Sequence, residues 1–336
     1  MTSPGRSAAK DQSLVSSSTL ALTSHIAPWC AAPGRATRPI FAIGDVHGRL
    51  DLLTALHDRI RTIVATENLP NPLVVHLGDY IDRGPHPLEC LARALRGVDG
   101  IESRALAGNH EQFMFRFLAA AEAVQNDPAI NSSLGRGPDA TSFGGILAED
   151  FAEDLSYVAE SWFAYNCGTA VARELGFADP AAALDDLQTF HERLVRRLGP
   201  ETLARFRAMS NHFRLGDYFF IHGGLHPALD LADQLAPHWG SYRFDARDSD
   251  PLWVRGPFLT HPGSFEFQSS DDYADYTGPF IVVHGHTISE TPDVLHNRIG
   301  VDTGAFMTGR LTAVELRDDQ LRFITANGPS VEWGVY

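Results

Sequence analysis

Apolar and polar positions follow one another in a regular order through the first third of the chain. Two short apolar runs, "PIFAI" (39–43) and "LVVHL" (73–77), and a third strand-like segment, "IESRALA" (101–107), are separated by segments in which apolar residues recur at helical spacing. Residues 49–65 place Leu52, Leu56 and Ile60 on one helical face, and 87–97 predicts a second helix that starts at a proline. The order strand, helix, strand, helix, strand predicts βαβ units and a parallel sheet.

The pattern changes between residues 112 and 212, where long helical segments surround the loop "NSSLGRGPDATSFGG". We interpret 112–212 as a helical insertion that covers one side of the sheet and borders the substrate. After it, "FRLGDYFFIHGG" predicts a hairpin with its turn at Gly216 and Asp217. The later segments "NRIGVDTG", "RLTAVELRD" and "QLRFITA" predict antiparallel strands that close a second sheet.

The first 38 residues are rich in Ser, Ala, Thr and Pro and have no sustained periodicity. Their apolar stretches are too short and too polar for the core of a signal peptide. The sequence therefore predicts a flexible leader over 1–38 and one domain over 39–336.

Composition and net charge indicate an ordinary globular protein without a basic binding surface. The 336 residues are 44% hydrophobic and 21% charged, as in ordinary soluble globular proteins. A net charge of −15 argues against nucleic-acid and membrane partners, since both attract basic surfaces. Three widely spaced cysteines predict no disulfide framework, and no apolar run approaches the about 20 residues of a membrane span. We expect a cytoplasmic protein and leave its oligomeric state open.

Metal-capable side chains follow five of the predicted strands, at the point where each strand ends. Ligands collect at the carboxyl ends of strands in such sheets. Taken singly, an Asp after Gly is a common turn residue and a lone His is usually structural. Their recurrence at five strand ends instead predicts one metal site, with these candidate ligands: Asp45, His47, Asp79, Asn109, His222 and His286.

The predicted donor set combines two carboxylates, three imidazoles and one amide. Such a mixture suits manganese, iron or zinc better than calcium. Two aspartates do not neutralise two divalent ions, so the site would keep positive charge and attract phosphate. Two ions about 3.5–4 Å apart hold a phosphoryl oxygen and acidify a bridging water.

With these motifs in hand, the sequence resembles the phosphoprotein phosphatase family of calcineurin-like metallophosphoesterases. The motifs that carry the resemblance occur in the family's order: "GDVHG" (44–48), "GDYIDRG" (78–84), "GNHE" (108–111), "HGG" (222–224) and "HGH" (284–286). The resemblance implies an α/β sandwich of two mixed sheets flanked by helices.

The resemblance also implies a role for each candidate residue. Two divalent ions are expected, with manganese the choice in vitro and iron or zinc as alternatives. The first ion would be held by Asp45, His47 and Asp79. Asp79 would bridge to the second ion, which Asn109, His222 and His286 complete.

Four further residues would act on the substrate. The resemblance implies that His110 is the general acid that protonates the leaving oxygen, and that Asp82 orients it. Arg83 and, from "LWVRG", Arg255 would bind the phosphate oxygens. Glu111 is expected to cap the helix that follows it.

The implied reaction is attack on phosphorus by a hydroxide held at the two metals, without a phosphoenzyme. Our first interpretation is a bacterial-type serine/threonine phosphatase acting on phosphorylated proteins or peptides. The alternative is a symmetrical diadenosine tetraphosphate hydrolase or a broad phosphoesterase; the former tend to have Asp at the position of Glu111. A catalytically silent scaffold is disfavoured, because every implied ligand and the general acid are present.

Overall fold

Two β-sheets packed face to face form the centre of the molecule. The computed structural model describes residues 22–126, 155–241, 248–267 and 278–330. The strands, in chain order, are β1 Thr23–Ile26, β2 Cys30–Ile43, β3 Leu73–His76, β4 Glu102–Ala105, β5 His212–Leu215, β6 Tyr218–Ile221, β7 Phe265–Phe267, β8 Gly278–His284, β9 Asp293–Val294, β10 Arg298–Gly300 and β11 Arg310–Asn327. The first sheet has the order β1-β11-β2-β3-β4, and the second β5-β6-β8-β10-β9, with β7 paired to β8.

Helices cover the outer face of each sheet and connect the strands of the first. Their bounds in the described ranges are α1 Leu50–Thr66, α2 Pro87–Arg96, α3 Asn109–Asn126, α4 Leu155–Asn166, α5 Thr169–Glu174, α6 Ala182–Asp185, α7 Leu187–Arg207, α8 Leu231–Leu235, α9 Gly256–Leu259 and α10 Ala305–Thr308. None of these helices is long and apolar enough to cross a membrane.

The last four residues of β2, 40–43, are all apolar because both faces of the strand are covered there. In β2, Ile40 and Ala42 belong to the core between the sheets, whereas Phe41 and Ile43 pack into the core beneath the helices. The α/β sandwich of two mixed sheets predicted from the sequence is confirmed. The hairpin turn at Gly216 and Asp217 is also confirmed, between β5 and β6.

The order of the strands brings five strand ends to one edge of the sandwich. Strands β2, β3 and β4 run parallel in the first sheet, and β6 runs parallel to β8 in the second. The residues that follow these strands therefore meet where the two sheets lie against each other.

The predicted leader is too long. Within it, β1 and the first half of β2 pair with β11, and only residues 1–21 lie outside the described residues. The sequence signal is weak because this half of β2 is half-exposed, with Ala36 its only buried residue before Ile40. The guanidinium groups of Arg317 and Arg322 lie over the Trp29 ring, 4.9 and 4.3 Å from its centre.

The arrangement predicted for the C-terminal strands is wrong. Strand β10 lies in the second sheet but runs parallel to β8, and "RLTAVELRD" and "QLRFITA" form one strand, β11, in the first sheet. Strand β11 has Val314 in the core between the sheets and Ala313 in the core beneath the helices. A strand buried on both faces belongs in the middle of a covered sheet, and it lies between β1 and β2.

In the described ranges five helices, α3 to α7, lie between β4 and β5, and all of them except the first three residues of α3 fall within the region interpreted as a helical insertion. Part of that region, residues 127–154 with the loop "NSSLGRGPDATSFGG", lies outside the described residues. The bounds 112–212 as a separate insertion stay a prediction.

Two buried histidines away from the strand ends predict how stability changes with pH. His57 on α1 and His76 at the end of β3 lie with their Nε2 atoms 2.8 Å apart. Burial lowers the pKa of His57 to about 2 and that of His76 to about 4. Unfolded imidazoles bind protons below about pH 6.5, so acid favours the unfolded chain.

The unfolding free energy of the wild type should fall as the pH is lowered from about 6.5 to about 4. We predict that it falls less in the double variant His57→Leu, His76→Val. Replacing both partners of the Nε2 contact by apolar groups should cost little at neutral pH, because neither nitrogen of that contact is left buried without its partner. The substitution also removes the part-buried contact of Nδ1 of His76 with the Arg104 oxygen at 3.3 Å. Urea unfolding across this pH range measures the effect. An unchanged pH slope would show that the pair does not contribute to the acid sensitivity.

Candidate active site

The six predicted metal ligands come together at the shared edge of the two sheets. Asp45 and His47 follow β2, Asp79 follows β3, and Asn109 begins α3 after β4. His222 and His286 follow β6 and β8. All six side chains are buried, with at most 5% of any residue exposed.

Asp79 lies at the centre of this cluster. Its Oδ2 is 3.4 Å from Nε2 of His47, and its Oδ1 is 3.3 Å from Nε2 of His222. Two groups of closely spaced donor atoms share it, one with His47 and His110, the other with His222 and His286. A carboxylate with one oxygen toward each group is what a bridge between two ions requires.

Hydrogen bonds to backbone carbonyls determine which ring nitrogen each histidine presents to the cluster. Nδ1 of His47 lies 2.9 Å from the Ile81 oxygen, and Nδ1 of His222 lies 2.9 Å from the Leu77 oxygen. Both rings therefore turn Nε2 inward as a metal donor. His286 is reversed, because its Nε2 lies 3.1 Å from the Trp253 oxygen and leaves Nδ1 for a ligand.

Asn109 and Asp45 complete the cluster. Oδ1 of Asn109 is 3.0 Å from Nε2 of His222, and the Asp45 carboxylate accepts from the His286 backbone amide at 3.1 Å. Asp45 stands outside both groups of donor atoms that share Asp79. The division of the six ligands between two ions stays a prediction.

Backbone strain is concentrated at this edge. Nine nonglycine residues in the described ranges have positive φ, and five of them belong to the predicted site: His47, Asp79, Asp82, Arg83 and His286. Such residues cost about 1–3 kcal/mol each and persist where the surrounding structure holds them in place.

Two motif glycines let the carboxylates approach the backbone. A Cβ built on Gly108 would lie 2.1 Å from Oδ1 of Asp79, and one built on Gly285 would lie 2.1 Å from Oδ1 of Asp45. Any larger residue would displace a predicted ligand, which is the physical reason for glycine in "GNHE" and "HGH".

The electrostatics of the cluster fit divalent cations. Burial and the neighbouring Asp302 raise the pKa of Asp45 well above its usual range. Burial opposes a charge on His222, but Asp79 and Asp45 outweigh it and raise the pKa of His222 to about 9. In the described ranges Asp79 forms ion pairs with histidines only. Buried carboxylates without lysine or arginine partners, beside imidazole donors, are suited to a metal centre.

His110 lies beside the cluster and contacts Asp82. Its Nδ1 is 2.7 Å from Oδ2 of Asp82, and its Nε2 is 3.1 Å from Arg83 and 3.7 Å from Oδ2 of Asp79. Although His110 is close enough to count among the metal donors, a guanidinium at Nε2 disfavours a cation there. The contacts instead suit a proton carrier, with Nδ1 held by Asp82 and Nε2 turned toward the cluster.

Both predicted phosphate-binding arginines reach this region. The Arg83 guanidinium lies 4.5 Å from the ring centre of Phe306, which keeps it beside His110. The Arg255 guanidinium donates to the His286 carbonyl oxygen at 3.2 Å. Arg83 and Arg255 thus flank the metal-donor cluster as cations.

Glu111 does more than the predicted capping. It accepts from the Gly108 amide at the start of α3 at 2.9 Å, as expected of a helix cap. Its carboxylate also accepts from the amides of Asp79, Tyr80 and Ile81 at 2.8, 2.9 and 3.3 Å. Glu111 therefore fixes the loop that carries the central aspartate.

Sequence reasoning missed two residues at the site. Trp162 on α4 donates its indole N–H to the Asp82 carboxylate, and Phe306 on α10 packs edge-on to His47 at 5.3 Å. Neither lies in a metal-ligand motif, and Trp162 is 80 positions from Asp82. In the sequence, Phe306 is marked only by its place in the segment "DTGAFMTGR". No sequence motif indicates Trp162.

Comparison with known proteins identifies the family. Residues 38–290 match the calcineurin-like phosphoesterase family. The chain therefore belongs to the calcineurin-like phosphoesterases.

Relatives with assigned names are distant but align over most of the chain. The asymmetrical bis(5'-nucleosyl)-tetraphosphatase PrpE of Halalkalibacterium halodurans is 22% identical over 84% of this chain and 91% of its own. A symmetrical bis(5'-nucleosyl)-tetraphosphatase of Neisseria gonorrhoeae is 23% identical over 87% of this chain and 97% of its own. A solved metallophosphoesterase of Sphaerobacter thermophilus shares 14% identity, with coverage of 87% and 89% and a TM-score of 0.36.

Metal binding should stabilise the fold through Asp79. We predict that manganese raises the unfolding free energy of the wild type by about 2.7 kcal/mol at about 100 times its Kd. Asp79→Asn should lose most of this gain, because the bridging charge is absent. Calorimetric titration and thermal unfolding measure it, with Asp58→Asn on the exposed face of α1 as control. Equal stabilisation of both variants would rule out Asp79 as a ligand.

The loop held by Glu111 gives a second prediction. We expect Glu111→Gln to lower the unfolding free energy by about 2 kcal/mol, because the neutral amide turns an NH₂ toward backbone donors. Chemical denaturation measures the loss, and Glu102→Gln on the exposed edge of β4 is the control. A loss no larger than that of the control would contradict the proposed role of Glu111 in fixing the loop.

Proposed function

We propose that the protein hydrolyses phosphate monoesters, with phosphoserine and phosphothreonine in proteins or peptides as the substrate class. The observation that carries this proposal is the contact between His110 and Asp82. In this proposal Nε2 of His110, 3.7 Å from Oδ2 of Asp79, carries the proton that the leaving alcohol takes up, while Asp82 contacts Nδ1 at 2.7 Å. An alkoxide is a poor leaving group, so its departure depends strongly on a general acid.

The metal centre would be held by the residues around Asp79. Two divalent ions, when bound, supply a nucleophile at neutral pH and neutralise charge on the phosphoryl oxygens. The protein's own part is to fix the donors rigidly, through the carbonyl contacts of His47, His222 and His286 and the loop held by Glu111. Manganese as the working metal stays a prediction.

Arg83 and Arg255 supply positive charge in a protein of net charge −15. One guanidinium group can donate two N–H groups to two oxygens of the same phosphate, in a fixed planar geometry. A phosphate that binds Arg83 would compete with its contact to Nε2 of His110. This exchange would free the His110 nitrogen to carry a proton toward the leaving oxygen, while Asp82 holds Nδ1 in place.

A second substrate class has its own support. Relatives that align over more than four-fifths of the chain are named bis(5'-nucleosyl)-tetraphosphatases. Cleavage of a dinucleoside tetraphosphate breaks a phosphoanhydride and expels a less basic phosphate. That reaction would use the same metal donors and arginines but would depend less on His110.

The predicted partners and cellular location of the protein follow from composition alone. The absence of nucleic-acid and membrane partners stays a prediction that rests on the acidic net charge. The cytoplasmic location stays a prediction that rests on the three widely spaced cysteines.

The metal-reconstituted protein should be assayed in parallel on phosphoserine and phosphothreonine peptides and on diadenosine tetraphosphate. We expect phosphate release from the peptides with the higher kcat/KM, and its loss in Asp79→Asn but not in Asp58→Asn. Preferred cleavage of the dinucleotide would establish the second substrate class. Turnover of neither substrate, nor of an aryl phosphate, would overturn the proposed function.

A further inference from the structure

Trp162 lies on the side of the site that holds His110, the predicted general acid, and it does not face the metal donors. It lies on α4 and is fully buried. Its indole N–H donates to both oxygens of Asp82, at 3.1 Å to Oδ1 and 3.0 Å to Oδ2. Asp82 is the carboxylate that holds Nδ1 of His110 at 2.7 Å.

The indole N–H matters because Asp82 is itself fully buried. Burial raises the pKa of Asp82 well above its usual range, and the Trp162 hydrogen bond opposes that rise. In the described ranges, Trp162 is the donor that reaches Oδ1 of Asp82. A buried carboxylate with too few donors tends to take up a proton or to rotate away.

The Trp162 ring is held by a cluster of aromatic side chains from three helices. Phe117 of α3, Phe163 of α4 and Phe190 of α7 lie 5.9, 6.2 and 5.9 Å from it between ring centres. A Cβ built on Gly168 would lie 3.0 Å from the indole, so the following turn also closes against the ring. The direction of the N–H is therefore fixed before substrate binds.

We propose that Trp162 is a positioning residue for the general acid, which orients Asp82 so that Nε2 of His110 faces the leaving oxygen. This inference rests on the proposed function and extends it to the helices between β4 and β5. Those helices would then support the protonation step itself, in addition to bordering the substrate.

The test is Trp162→Phe, which removes the N–H and keeps an aromatic ring. Phenyl phosphate and 4-nitrophenyl phosphate are the probes, because they differ mainly in the basicity of the leaving group. We expect kcat for phenyl phosphate to fall about 10-fold to 100-fold. The fall for 4-nitrophenyl phosphate should stay within about threefold, since its leaving group needs less protonation. KM should not change, because Trp162 does not touch substrate.

Two controls separate positioning from general damage to the fold. Phe190→Leu disturbs the same aromatic cluster but keeps the indole N–H, so any loss should be equal for both esters. In a His110→Asn background, Trp162→Phe should cost nothing further in kcat, because the residue acts through the missing acid. Equal losses on both esters, or a further loss in that background, would overturn the inference.

The outcomes also separate this inference from the proposed function. An active wild type with a Trp162→Phe variant that loses both esters equally overturns the inference alone. A wild type that cleaves neither ester, and neither the phosphopeptides nor diadenosine tetraphosphate, overturns both proposals. If Trp162→Phe does not fold, Asp82→Asn provides the test: one of the five tryptophan indole N–H resonances should move. Five unchanged resonances would contradict the contact.

Discussion

The burial of the Asp79 carboxylate among histidines is the interaction on which the site depends. Asp79 is 2% exposed, and burial alone would raise its pKa, but His222 and His110 hold that pKa well below the usual range. A buried charge of this kind is stable only if its partners cannot move away. The strained loops, the close glycine backbones and the Glu111 contacts all keep those partners in place.

The same constraint explains how the two sheets are joined. The first sheet supplies the loops that carry Asp45 and Asp79, and the second supplies His222 and His286. Neither sheet has a complete donor set, so the packing of one against the other assembles the centre. The contact of Nδ1 of His222 with the Leu77 oxygen crosses directly between them at 2.9 Å.

The acid side of the site is built differently. Asp82 lies in the loop after β3 and His110 in the first turn of α3, yet their surroundings come from elements far along the chain. Trp162 of α4 donates to Asp82, and Phe306 of α10 packs against both Arg83 and His47.

The sequence by itself determined the strand-end residues, because a strand and the polar residue after it are adjacent in the chain. Asp45, Asp79 and His222 could be predicted in this way, whereas the sandwich of mixed sheets followed from the resemblance of the motifs to a known family. Only the tertiary structure decided which sheet receives β11, that residues 23–26 and 30–38 form strands, and that Trp162 contacts Asp82. These depend on contacts between distant segments, where half-exposed strands and lone aromatic residues leave no periodic signal.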